Sequence, residues 1–215
     1  MKRRTTLLLA FFGLLIFTGT VSAQQAVRVA CVGDSITAGS GSSDREAKAY
    51  PVILGQLLGD RYEVRNFGIG GRTLLKNGDR PYWNEAFLQE SLDYQPDIVV
   101  IKLGTNDSKP QNWDTYGVEF EGNLREMLTQ YKNLPSRPKV YACFPSWIVN
   151  DRQIRESVIV TDIIPIISKV AAEVGVSVID LHTTLYGMPH LIPDGVHPND
   201  LGYLMIAHDV YQRIK

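Results

Sequence analysis

Cysteine is scarce in this 215-residue chain: Cys31 and Cys143 are the whole supply. Two thiols exclude a small disulfide-stapled scaffold, and neither sits at metal-ligand spacing. Each lies near the end of an apolar, strand-like run, so two buried, unpaired thiols are expected; a disulfide would need their strands to be close neighbours. An excess of charge is missing too, since 22 Lys and Arg face 23 Asp and Glu. Such a balance gives no basic footprint, and no nucleic-acid partner is expected. Apolar runs long enough to span a bilayer are also absent. Leu7 to Phe17 follows Lys2, Arg3 and Arg4 and precedes Val21-Ser22-Ala23, which reads as a secretory leader cut after Ala23. With no cysteine at that point, no lipoprotein anchor is expected. The leader is thus residues 1–23 and the mature chain residues 24–215, secreted or periplasmic, with no stable membrane anchor. Repeats and linkers are lacking, and one domain follows.

What is present is alternation. Five β-type runs recur, Val27 to Val32, Glu63 to Phe67, Asp97 to Leu103, Lys139 to Phe144 and Val176 to Leu181, and helical signals separate them. Tyr50 to Leu58 is compact and apolar. Phe120, Leu124, Met127, Leu128 and Tyr131 share one helical face. Val158 to Val174 repeats that pattern, with Pro165 marking a kink or the true start. Leu201, Leu204, Met205, His208 and Tyr211 outline a last helix, with His208 on its apolar face as a core histidine. Strand alternating with helix predicts parallel strands joined by right-handed crossovers, an α/β fold built as a three-layer sandwich. In such sheets ligands bind beyond the carboxyl ends of the strands, so the loops there are where chemistry is sought.

After the first run comes Gly33-Asp34-Ser35. A serine hydroxyl is nearly inert unless a base takes its proton, and taken alone Ser35 can equally cap a helix. The second loop, "NFGIGGRT", offers glycine backbone donors but lacks the spacing of a dinucleotide fingerprint. The third, "GTND", presents Asn106, an uncharged donor suited to an oxyanion or a simple turn former. Near the far end stands "IPDGVHPND". A turn there can bring the Asp194 carboxylate onto one imidazole nitrogen of His197, freeing the other to accept a proton. A metal site is the rival for an Asp/His pair, but no second His or Cys cluster sits at ligand spacing, and no metal is expected. His182 and His190 are candidates for the site mouth.

With "GDSITAG", "NFGIGGRT", "GTND" and "DGVHP" in this order, the chain resembles the SGNH hydrolases, also called the GDSL esterase/lipase family, over nearly its whole mature length. The resemblance implies a flavodoxin-like three-layer fold with a five-stranded parallel sheet. It implies Ser35 as nucleophile, His197 as general base and then acid, and Asp194 as the residue orienting His197. The backbone N–H groups of Ser35 and Gly71 and the side chain of Asn106 would form the oxyanion hole. No cofactor is implied.

"KLGTNDSKPQNW" is similar to the sialate O-acetylesterase-like and acetyl xylan esterase-like branch, which implies an acyl ester on a small molecule or glycan as substrate, acetyl first. Trp83, Trp113 and Trp147 fall in segments on the catalytic side, where aromatic faces can pack on sugar rings or simply brace loops. A lysophospholipase- or thioesterase-like member acting on longer acyl chains is the alternative enzyme, and a silent glycan-binding module the alternative of another class. The sequence sets no oligomeric state.

Overall fold

The computed structural model describes residues 25–149 and 152–215; the predicted leader lies outside them. Five parallel strands form one sheet: β1 (Val27–Gly33), β2 (Tyr62–Gly68), β3 (Ile98–Lys102), β4 (Lys139–Cys143) and β5 (Ser177–Ile179), in the order β2-β1-β3-β4-β5. The helices are α1 (Arg45–Lys48), α2 (Tyr50–Leu58), α3 (Ala86–Asp93), α4 (Pro110–Tyr116), α5 (Phe120–Lys132), α6 (Glu156–Val158), α7 (Ile164–Val174) and α8 (Asp200–Ile214).

The two faces of the sheet bury alternate residues. Ala30 and Val32 of β1 pack with Val99 and Ile101 of β3 under α3, α5 and α7. Val29 and Cys31 pack with Ile98 and Val100 under α2 and α8. Both faces are therefore dry, which is why β3 is apolar except for Lys102, and why it takes the centre. The order reverses between β1 and β3, and a crevice at that switch point is where such sheets hold ligands.

Two helices bear on the sequence reading, one matching it and one departing from it. Pro165 stands in the first turn of α7, after a π-helical turn over Ile159–Ile163. Its missing N–H is harmless at a helix start, and the wide turn absorbs the change of pitch. In α8 the buried ridge is Tyr203, Ile206, Ala207, Val210 and Ile214. His208 is exposed and its ring pairs with Gln212 at 3.1 Å, while Leu201 and Leu204 face solvent. The core assignment of His208 is thus corrected. Two apolar stripes with the same 3–4 spacing exist on this helix, and the one carrying Tyr203 buries more surface, each fully buried apolar side chain contributing roughly 1.5–3 kcal/mol.

Cys31 and Cys143 are free and buried. β3 lies between β1 and β4, so the two thiol-bearing strands are about 10 Å apart, two strand spacings and beyond disulfide reach.

Candidate active site

The first loop turns sharply at the end of β1, and glycine is what permits it. A Cβ on Gly33 would lie 2.2 Å from Thr37 Oγ1 and 2.5 Å from the Lys102 carbonyl oxygen. Asp34 then accepts the Ile36 N–H at 2.9 Å, and the Ser35 carbonyl accepts the Ser40 N–H at 2.9 Å. This one-turn coil holds Ser35 at the carboxyl edge of the sheet, largely buried.

The last loop supplies a base from 162 positions away. His197 Nε2 is 2.9 Å from Ser35 Oγ, and His197 Nδ1 is 2.6 Å from Asp194 Oδ2. An ionised carboxylate can only accept, so Nδ1 carries the ring proton and Nε2 presents its lone pair to the hydroxyl. The other carboxylate oxygen accepts the N–H groups of Val196 and His197 at 2.9 and 2.7 Å. Partial burial of Asp194 disfavours its charge, but the His197 and Val196 amides and the His197 ring outweigh this and hold its pKa below the ordinary carboxylate value.

A clasp keeps the two loops together. A Cβ on Gly41 would lie 2.8 Å from both His197 Cβ and the Pro198 carbonyl oxygen, so only glycine lets the loops touch here. Asp200 accepts from the Ser43 amide and hydroxyl and from Lys48 Nζ at 2.8, 2.8 and 2.6 Å. Tyr203 Oη donates to the Ser40 carbonyl at 2.5 Å.

The loops after β2 and β3 are fastened likewise. Asn106 Nδ2 donates one hydrogen to the Arg72 carbonyl at 3.1 Å, which orients the amide and leaves its second hydrogen without a partner among the described residues. The buried Asp107 carboxylate accepts the N–H groups of Leu74 and Leu75 at 3.0 and 2.7 Å. Desolvation nevertheless pushes its pKa up to about 7. Gly70 borders the serine, its Cβ position lying 3.9 Å from Ser35 Cβ, and Gly71 follows with φ near 80°. One hydroxyl thus faces an imidazole nitrogen and borders the glycine backbone of the second loop, an arrangement suited to nucleophilic chemistry.

Sequence reasoning passed over a buried ion pair beneath this site. Lys102 Nζ is 3.3 Å from both Asp34 carboxylate oxygens and donates to Thr105 Oγ1 at 3.0 Å, with no exposure of either charged side chain. It ties the residue before the serine to the residue before Asn106. The signal was a lone cation inside the apolar run "DIVVIKLG".

The three tryptophans part company. Trp83 donates its indole N–H to the Leu74 carbonyl at 2.6 Å, carries Lys76 Nζ 4.3 Å from its ring centroid, and lines a hollow with Arg125 and Glu126 of α5. Trp113 packs edge-on against Phe120 and close over Gly117. Trp147 stands beside the Asp194–His197 loop, where the Val149 N–H donates to the Gly195 carbonyl, and its ring lies 5.3 Å from that of Tyr186. His182 is buried, with Nε2 2.6 Å from Glu156 Oε1, and His190 is exposed with its carbonyl accepting from Asn199. Among the described residues no group of three or more His, Cys, Asp and Glu could hold a metal ion, and no helix is long and apolar enough to cross a membrane.

The family model for the GDSL-like lipase/acylhydrolase family matches residues 31–205. An acetylxylan esterase of Xylanibacter ruminicola is 40% identical over 216 residues; the match covers 89% of this chain and 44% of that protein, so the chain spans less than half the length of this relative. Among solved structures, an aryl esterase of M. smegmatis superposes with a TM-score of 0.71 at 20% identity, covering 88% of this chain and 98% of that one. A carbohydrate acetylesterase family member from Sinorhizobium meliloti gives 0.67 at 20%, covering 87% and 97%. At these identities the two structures speak to the fold.

Proposed function

Because the chain belongs to the GDSL-like lipase/acylhydrolase family, we propose that it is a serine esterase that removes O-acetyl groups from carbohydrates through a covalent acyl-enzyme. The observation carrying this reading is the continuous row from Ser35 Oγ through the His197 ring to Asp194, in a chain 40% identical to an acetylxylan esterase.

In this mechanism His197 Nε2 takes the Ser35 proton as the oxygen attacks the ester carbonyl. Charge moves onto the carbonyl oxygen, where the N–H groups of Ser35 and Gly71 and the free Asn106 hydrogen receive it, each worth on the order of 3 kcal/mol in the transition state. The imidazolium, steadied by Asp194, gives its proton to the departing sugar hydroxyl. Water then enters, His197 takes a proton from it, and acetate leaves as Ser35 regains its hydrogen. Trp147, flanked by Tyr186, is the tryptophan assigned to the sugar; Trp83 and Trp113 have faces engaged by Lys76, Phe120 and Gly117 and brace their loops. The leader is removed after Ala23, and the mature domain acts outside the cytoplasm; amino-terminal sequencing of the exported protein is expected to begin at Gln24.

The test has two parts. A fluorophosphonate probe is expected to label Ser35, by mass spectrometry of the digested protein, and labelling elsewhere overturns the assignment. Acetate release from acetylated xylan is expected together with a preference for acetate in a chain-length series of p-nitrophenyl esters; preference for eight carbons or more transfers the enzyme to lipid-like substrates.

A further inference from the structure

Beside Gly71 the structure leaves one cation without a counterion. A Cβ on Gly71 would lie 3.5 Å from Arg80 Nη1 and 3.6 Å from Arg80 Cδ, so the guanidinium folds back over this glycine. The backbone of Arg80 is fixed there: its carbonyl accepts the Thr73 N–H at 3.0 Å, and Thr73 bridges to Pro81. The nearby carboxylates are committed elsewhere. Asp79 holds Lys109 at 3.5 Å and accepts from Gln111 and Asn112, while Glu85 accepts from Arg72 at 2.8 Å. Among the described residues Arg80 has no hydrogen-bond acceptor or ion-pair partner for its side chain, and it is exposed.

A planar, permanently charged fork held open next to a candidate oxyanion donor is suited to a carboxylate carried by the substrate. We propose that Arg80 forms an anion subsite and that the preferred substrates are acetyl esters on glycans bearing a uronic-acid carboxylate close to the acetylated carbon. The subsite rests on the acetyl-glycan reading above and adds to it the sign of the substrate's charge. Arg72, Lys109 and Lys76 do not duplicate it, because each already faces a carboxylate: Glu85, Asp79 and Glu126. Neutral acetylated sugars would leave the guanidinium facing solvent and gain nothing from it.

The experiment compares acetate release from O-acetylated glucuronoxylan with release from the same polymer after its carboxyl groups are reduced to alcohols. The ratio of the two kcat/KM values is read for wild type, Arg80→Gln and Arg80→Lys. Wild type is expected to favour the acidic polymer, the ratio to fall about fivefold in Arg80→Gln and less in Arg80→Lys, and the wild-type preference to shrink in about 0.5 M salt. An unchanged ratio in Arg80→Gln overturns the subsite while leaving the carbohydrate reading intact. Failure of wild type to release acetate from either polymer, with p-nitrophenyl acetate still hydrolysed, overturns the carbohydrate reading and the subsite with it.

Discussion

The Asn106 amide uses one hydrogen on the Arg72 carbonyl, and in the proposed mechanism its other hydrogen meets the charge that appears on the substrate. Asn106→Ala is expected to lower kcat by about 10²–10³-fold with a smaller change in KM, measured by steady-state kinetics on p-nitrophenyl acetate. Ser35→Ala and His197→Ala are expected to cost about 10⁴-fold or more, and the double variant no more than either alone, because the two act as a unit. Asp107 gives a pH signature of its own. Its folded pKa is raised to about 7, so the folded protein binds this proton more tightly than the unfolded chain does. The resulting stabilisation is present below the ordinary carboxylate range and is lost as pH rises through about 7. Urea midpoints are expected to fall between pH 5 and pH 8 more steeply for wild type than for Asp107→Asn, and equal slopes would remove Asp107 as the source.

Among elements, β3 carries both core apolar side chains and a buried cation. Four of its five residues are apolar, and the fifth, Lys102, anchors Asp34 and Thr105 with no contact with water. Lys102→Met fits the apolar surroundings but leaves the Asp34 charge buried and unpaired. It is expected to destabilise the protein by about 3–5 kcal/mol in urea unfolding, and to lower kcat more than KM rises, since both loops shift. The central strands β1 and β3 were legible because a sheet covered on both faces demands apolar runs there, and all five strands appear within two residues of where the sequence puts them at either end. α2 was legible from Tyr50 to Leu58 for the same reason. The face of α8 was not, because periodicity fixes the pitch of a helix but not which of two apolar stripes finds a partner. Similarly, Trp83, Trp113 and Trp147 read alike as loop aromatics in sequence. Their separation by contacts with Lys76, Phe120 and Tyr186 depends on tertiary neighbours that no local pattern encodes.

For the whole molecule, the two thiols report on global opening. Both are fully buried under α2 and α8, where desolvation pushes Cys31 up to about 12 and Cys143 higher still. The thiolate is the reactive form, so a maleimide is expected to label neither residue in native buffer and both in denaturant; labelling at the rate of a free thiol would contradict the packing. The motif order was legible across the whole chain because each block follows a strand. The clasp through Gly41, Asp200 and Tyr203 was not, since it is a meeting of two surfaces whose residues look like ordinary loop and helix-start residues.

That clasp joins the loop after β1 to the start of α8, with the hydroxyl and the imidazole 162 positions apart. During synthesis Ser35 therefore emerges long before His197, and a chain interrupted between them carries the serine without its proposed base. In the proposed mechanism the hydroxyl gains its base only when α8 has closed against the turn after β1, so activation waits on the docking of segments far apart in sequence.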